Sequence, residues 1–328
     1  MSRVFITQRI YPEGVRILEQ AGIPHQMRPD ENPLPTADLI EQARGVEALI
    51  TLVTDRIAED VFQALPELRI VANVAVGYDN IDLSAATRHG VVVTNTPDVL
   101  TEATADMAFA LMLAAARRIP EADRFVREGR WHGWTLMQEQ MGVDLYGRTL
   151  GIFGMGRIGA AMARRAHHGF GMRILYTNRS AAPAGLEQEL QAERVPFERL
   201  LSESDFVSIH APATPETRHV FTADAFRRMK PTAILVNTAR GPLVDEAALV
   251  NALRSGEIAG AGLDVFEEEP QVHPGLLELT ERVALAPHLG SATLETRTRM
   301  CVMAAENVRE FLQGRRPANA VNPEVLAG

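Results

Sequence analysis

The chain has 328 residues, 46% of them hydrophobic and 23% charged, with a formal net charge of −9. That length accommodates two domains of about 100 to 200 residues each, and the composition excludes a disordered, collagen-like or disulfide-stapled chain. The acidic balance argues against a nucleic-acid surface, which carries a basic footprint, and a lone cysteine, Cys301, closes no internal disulfide and so fits a reducing compartment.

In chain order, MSRVFITQRI enters a β-like run at once, without the charged n-region and long apolar core of a signal peptide, so the cytoplasm is the expected location. VFIT, EALITLVT and RIVANVAV read as strands, with PEGVRILEQAG and AEDVFQALP as helices between them. This is the alternation of a parallel sheet with crossover helices. The run from Met107 to Ala116, MAFALMLAAA, falls well short of the roughly 20 residues of a membrane span and is flanked by Asp106 and Arg117. It predicts a buried helix, with Thr101 placed to cap its start, and no membrane partner. A second series follows: TLGIFGMG, MRILYTN, DFVSIHAP, AILVNTA, GAGLDV and VALAPH. Two α/β units are therefore expected. A last amphipathic stretch from about Thr293 to Leu312 predicts a helix whose apolar face takes Cys301 in a structural role, and the residues alone assign that helix to neither unit.

LGIFGMGRIG sets Gly154, Gly156 and Gly159 in G-x-G-x-x-G spacing directly after a strand and at the start of a helix. In that context the first glycine permits a tight turn, the second lets backbone approach a pyrophosphate, and the third allows close helix packing. The helix N-terminus, with free N–H groups and a favourable dipole, then receives the anion. A strand-turn-helix with no ligand, or a methyltransferase loop, is the alternative.

The next strand ends in Thr177, Asn178, Arg179 and Ser180, where a dinucleotide-binding chain usually carries an acid for the adenosine ribose 2′-hydroxyl. A carboxylate there would repel a 2′-phosphate, whereas an arginine can hold one by charge-assisted hydrogen bonds of about 1.5 to 3 kcal/mol each. The expectation is NADP(H), with NAD(H) a weaker alternative; a merely solvated Arg179 is the competing reading.

Three more motifs lie at or beyond strand ends of the second series, where ligands of open α/β sheets bind: NTARG with Arg240, LDVFEEEP with Asp264 and Glu269, and APHLGSAT with His288. Singly they read as a salt bridge, an acidic loop and a satisfied histidine. Together with VGYDNID at 76 to 82, NTPDVLTEATAD at 95 to 106 and GMGRIG, they make the chain resemble the D-2-hydroxyacid dehydrogenase family along nearly its whole length. Within it the chain is most similar to the glyoxylate and hydroxypyruvate reductases.

The resemblance implies two doubly wound parallel-sheet α/β domains, a Rossmann dinucleotide-binding domain over 99–289 inserted in a flavodoxin-like substrate domain over 1–98 and 290–328, with a cleft between them. It places Arg240 on the substrate carboxylate and carbonyl, His288 as proton donor and Glu269 as the group that orients and charges the imidazole. Chemistry agrees. A planar guanidinium grips a carboxylate in two places while polarising a ketone, and a neighbouring carboxylate favours the imidazolium that reduction requires. The resemblance also puts the backbone amides of Val76 and Gly77 on the carboxylate and Asp264 near the nicotinamide carboxamide. It lines the cofactor with Gly156, Arg157, Ile158 and Gly159, with Thr238, Ala239 and Arg240, and with His288 to Gly290; no metal ligand is assigned. It implies a homodimer through the cofactor domains, which gives the helix from Thr101 two readings, core or subunit contact. Trp134, the second tryptophan of GRWHGW, either reaches the neighbour's substrate pocket or packs ordinarily.

Phosphoglycerate dehydrogenase is a second enzyme reading, for which only Arg56 in LVTDR offers an extra cation. A dinucleotide-sensing protein like the transcriptional corepressors of this fold is a third. It calls for an NAD(H) site and a partner-binding extension, neither of which the sequence suggests.

Overall fold

The computed structural model describes residues 3–327, which fall into two compact units: one runs up to Leu100 and resumes at Ser291, and the other is Thr101–Gly290. Each unit is built round one parallel sheet.

The first unit carries strands β1 (Val4–Ile6), β2 (His25–Met27), β3 (Ala48–Thr51), β4 (Ile70–Asn73) and β5 (Val92–Thr94). All pairs are parallel, in the order β2-β1-β3-β4-β5, the flavodoxin-like arrangement. Helices α1 (Pro12–Gln20), α2 (Thr36–Gln42), α3 (Glu59–Ala64) and α4 (Leu83–Arg88) make the crossovers. Strands β1, β3, β4 and β5 are buried throughout, which is why they read as continuous apolar runs rather than alternating ones.

The second unit begins with α5 (Thr101–Ala116) and α6 (Ile119–Arg127). It continues through β6 (Thr149–Phe153), α7 (Arg157–Arg164), β7 (Arg173–Thr177), α8 (Ala184–Leu190), β8 (Glu193–Arg194), α9 (Phe197–Glu203) and β9 (Phe206–Ile209). It ends with α10 (Ala223–Arg228), β10 (Ile234–Asn237), α11 (Glu246–Ser255), β11 (Gly260–Leu263), α12 (Pro274–Glu278) and β12 (Val283–Leu285). The sheet order is β12-β11-β10-β9-β6-β7-β8, all parallel. Strand order therefore reverses between β6 and β9, the switch point at which a doubly wound sheet opens a crevice for a dinucleotide.

Helix α13 (Leu294–Leu312) is capped by Thr293, whose hydroxyl accepts from the Thr296 amide, and belongs to the first unit. It packs on α1 so closely that a Cβ on Gly14 would lie 2.8 Å from the Cys301 carbonyl oxygen. Cys301 is buried there, and burial pushes its thiol pKa up. Helix α5 starts one residue earlier than a Thr101 cap requires, with Thr101 itself in the first turn. Its Ala105, Ala108 and Met112 are buried while Phe109 and Leu113 are only partly covered. No helix among the described residues is long and apolar enough to cross a membrane.

Candidate active site

The glycine turn leaves β6 at the switch point. Gly154 has φ +101°, a conformation that favours glycine, and a Cβ there would meet the Ala211 amide nitrogen beyond β9 at 2.6 Å. At Gly159 a Cβ would strike the Gly154 carbonyl oxygen, whereas at Gly156, the residue before the first turn of α7, the position opens on empty space. Close packing at the first and third glycines with free approach at the second is what a pyrophosphate cradle demands, and α7 presents Arg157 and Ile158 in its first turn. At the tip of β9 the His210 imidazole shares a 2.8 Å hydrogen bond with Ser208 Oγ, and burial lowers its pKa to about 3. The His210 backbone borders the turn.

At the end of β7 the Thr177 hydroxyl donates to the Val195 carbonyl at 2.8 Å, and Arg194 donates to the carbonyls of Asn178 and Arg179 at 2.9 Å each. These bonds tie the strand end to β8 and leave Arg179 and Ser180 exposed. Arg179 has a carboxylate within electrostatic reach. Glu216, in the loop after β9, has its pKa lowered first by a hydrogen bond from Thr214 and more weakly by the charge of Arg179.

Arg240 sits in a short turn after β10. Asn237 shapes that turn, its Nδ2 donating to the Arg240 carbonyl at 2.9 Å and its Oδ1 accepting from the Ala239 amide at 3.0 Å. The guanidinium donates to the Ala239 carbonyl at 2.8 Å. Thr238 Oγ1 is a buried hydroxyl with no hydrogen-bond partner in the protein. A buried polar atom in want of a partner suits a ligand-facing strand end.

The chain after β12 carries His288 with φ 54°, a left-handed backbone that a non-glycine residue holds only when its surroundings dictate it. Asp264, fully buried just past β11, supplies the constraint: one carboxylate oxygen accepts from the Leu289 amide at 2.6 Å and the other from the Gly290 amide at 2.7 Å, while its carbonyl accepts from the His288 amide at 2.9 Å. Burial raises the Asp264 pKa although these donors oppose it. The structure thus gives Asp264 a task that the sequence reading did not include, moulding the loop that presents His288.

His288 Nδ1 lies 2.8 Å from Glu269 Oε2, with the two side chains 35% and 34% exposed. Glu269 Oε1 accepts from the Phe266 amide at 3.0 Å. Burial alone would raise the Glu269 pKa, but the hydrogen bond and charge of His288 outweigh it, and the net shift is downward. With Nδ1 engaged, Nε2 is the nitrogen left to meet a substrate. Its neighbours in the acidic run are used differently: Glu267 pairs with His219 at 2.5 Å, and Glu268 is exposed.

Val76 and Gly77 follow β4 in the first unit and are half-buried. Arg56 is committed to an ion pair with Asp60 at 2.9 Å. Trp134 is 75% exposed on a stretch that also exposes Trp131, Leu136, Met137 and Tyr146. His167 and His168 lie on a π turn continuing α7, and His168 comes within 3.6 Å of Glu189. Among the described residues no group of three or more His, Cys, Asp or Glu side chains is placed to hold a metal ion.

A glycine cradle at a Rossmann switch point, with an arginine beyond β10 and a carboxylate-paired histidine beyond β12 on the same edge of the sheet, defines a nicotinamide-dinucleotide dehydrogenase. Residues 109–290 match the family model of the D-isomer specific 2-hydroxyacid dehydrogenase NAD binding domain, and the chain belongs to that family. It is 55% identical over 325 residues to a glyoxylate reductase of Korarchaeum cryptofilum, covering 99% of this chain and 97% of that one. Among solved structures it is similar to a glyoxylate reductase from Paecilomyes thermophila, with TM-score 0.87 and 35% identity over 98% of this chain and 99% of that one. It is similar too to an NADPH-dependent glyoxylate/hydroxypyruvate reductase from Sinorhizobium meliloti in complex with NADP and malonate, with TM-score 0.86 and 35% identity over 98% of this chain and 97% of that one.

Proposed function

We propose that the chain reduces small 2-oxo acids with NADPH, taking glyoxylate to glycolate and hydroxypyruvate to D-glycerate, with His288 as the proton donor. The observation that carries this reading is the 2.8 Å pairing of His288 with Glu269, on the same edge of the sheet as Arg240 and the glycine turn. The relatives named as glyoxylate reductases support the substrate class. The acid-free end of β7, with Arg179 exposed, supports the phosphorylated cofactor.

The dinucleotide, when bound, supplies the hydride that adds to the carbonyl carbon. Its pyrophosphate would rest on the turn from Gly154 to Gly159, its 2′-phosphate on Arg179 with Asn178 and Ser180, and its nicotinamide end near Thr238, Ala239, Asp264 and Gly290. The carbonyl oxygen gains negative charge as carbon accepts hydride, and Arg240 stabilises that charge while binding the carboxylate. His288 Nε2 delivers the proton that completes the hydroxyl, and Glu269 keeps the ring charged and aimed. The Val76 and Gly77 amides supply further donors to the carboxylate. In the reverse direction His288 accepts the proton.

We also propose a homodimer in the cytoplasm, formed through the second unit, where α5 and the stretch bearing Trp134 leave an apolar surface uncovered. Sedimentation at micromolar concentration tests this; a monomer would refute it. The function is tested by mixing the protein with NADPH and glyoxylate, hydroxypyruvate or pyruvate. Oxidation of NADPH by the first two is expected, and none with any of the three would overturn the reading.

A further inference from the structure

Three asparagine side chains of the first unit are spent on the backbone of two loops rather than on the sheet. Asn95 Nδ2 donates to the Val76 carbonyl at 2.8 Å. Asn73 is fully buried at the end of β4; its Oδ1 accepts from Thr51 Oγ1 at 3.1 Å, and its Nδ2 donates to the Gly77 carbonyl at 2.9 Å and to Asn80 Oδ1 at 3.1 Å. Asn80 Nδ2 in turn donates to the carbonyls of Leu52 at 3.1 Å and Asp55 at 2.9 Å. Carbonyl oxygens can only accept, so these partners fix which way round each amide stands.

The consequence follows from peptide geometry. In a trans peptide the C=O and the N–H of the same unit point in opposite directions. The Val76 carbonyl held by Asn95 therefore turns the Gly77 N–H away from Asn95, and the Gly77 carbonyl held by Asn73 does the same for the Tyr78 N–H. The preceding peptide is held in the same manner, with the Ala75 carbonyl accepting from the Thr96 amide at 2.8 Å, which directs the Val76 N–H. Successive N–H groups directed in this way can serve as donors to an anion. The neighbouring loop is clamped from both sides, because the buried Asp55 carboxylate accepts from the Leu52 amide at 2.8 Å and from Thr7 Oγ1 at 2.5 Å while Asn80 holds the Leu52 carbonyl. A buried amide is expensive unless every bond is made, and here the bonds are made to the two loops.

We propose that Asn73, Asn80 and Asn95 are positioning residues that aim the Val76 and Gly77 amides at the substrate carboxylate and lock the Leu52–Asp55 loop beside them. They set the affinity for the 2-oxo acid and leave the speed of hydride transfer to other groups. The inference rests on the reading of the chain as a 2-oxo acid reductase.

The test uses the full-length enzyme with NADPH and glyoxylate. Asn80→Asp keeps the shape of a half-buried side chain but removes both donated hydrogen bonds, and Asn95→Ser removes the bond to the Val76 carbonyl. Loss of orientation at a hydrogen bond to a charged group predicts KM for glyoxylate raised about tenfold or more, with kcat within about threefold of wild type and KM for NADPH unchanged. Inhibition by oxamate, an unreactive 2-oxo carboxylate analogue, weakens by the same factor. In the wild type, oxamate also slows hydrogen exchange of the amides at 76 to 80, which needs no variant to fold. An active wild type whose folded variants keep their KM, or lose only kcat or melting temperature, overturns the relay alone, as does absence of protection by oxamate. A wild type inactive on every 2-oxo acid overturns the enzyme reading and this inference with it.

Discussion

Glu269→Gln separates charge from shape at the proposed acid. Glu269 now offers two acceptor oxygens to two donors, Oε1 to the Phe266 amide at 3.0 Å and Oε2 to His288 Nδ1 at 2.8 Å. A glutamine has one acceptor and one NH2 group. The Phe266 amide can only donate, so it claims the oxygen, and the NH2 group is left facing His288 Nδ1. An imidazolium cannot accept that hydrogen, so the substitution favours the neutral ring with its one hydrogen on Nε2, a far weaker acid than the imidazolium. A hydrogen bond to a charged partner contributes about 1.5 to 3 kcal/mol, and a pair one-third exposed on each side retains only part of that. We take about 1.4 kcal/mol, one pH unit or a factor of ten. Wild-type reduction weakens as pH rises, because the proton donor is lost, and in Glu269→Gln that decline moves about one pH unit lower. On the high-pH side of that decline kcat falls about tenfold with KM for glyoxylate little changed. Steady-state rates from about pH 5 to 9 read both effects. A decline at the same pH in both enzymes refutes the charging role of Glu269.

The remaining expectations are narrower. His288→Ala lowers kcat by about 10²- to 10⁴-fold while KM changes little; intact turnover with weakened binding would remove His288 from the role of acid. Arg179→Ala lowers the NADPH to NADH efficiency ratio about tenfold or more, the loss of one charge-assisted contact, and an unchanged ratio in this variant refutes the 2′-phosphate assignment. Asp264→Asn leaves one of the Leu289 and Gly290 amides facing an NH2 group, so stability falls by about 1 to 3 kcal/mol; an unchanged melting temperature would show that the His288 loop holds its shape without that carboxylate.

Much of the fold was legible because parallel strands buried on both faces leave unbroken apolar runs. VFIT, TLGIFG and AILVNTA each contain an observed strand. The strands that escaped reading are short. Strands β2 and β8 lie at sheet edges with polar, partly or wholly exposed residues, and β5 has only three residues before NTPD breaks the run. At the site, the glycine spacing was readable because each glycine answers a separate steric demand. The acidic run Glu267–Glu269 was not resolvable from residue types alone, since which carboxylate meets His288 depends on how the chain turns after Phe266; only the family resemblance selected Glu269. His210 and the Asn73, Asn80 and Asn95 relay were passed over. Their signal was a polar residue ending or following an apolar strand, which becomes meaningful only once the partner loops are in place.

The most direct measurement of the central claim is the ratio of kcat/KM for glyoxylate with NADPH to that with NADH in the unmodified enzyme. One good contact to the 2′-phosphate predicts a ratio of about ten or more. A ratio below one, or no oxidation of either cofactor, would contradict the account.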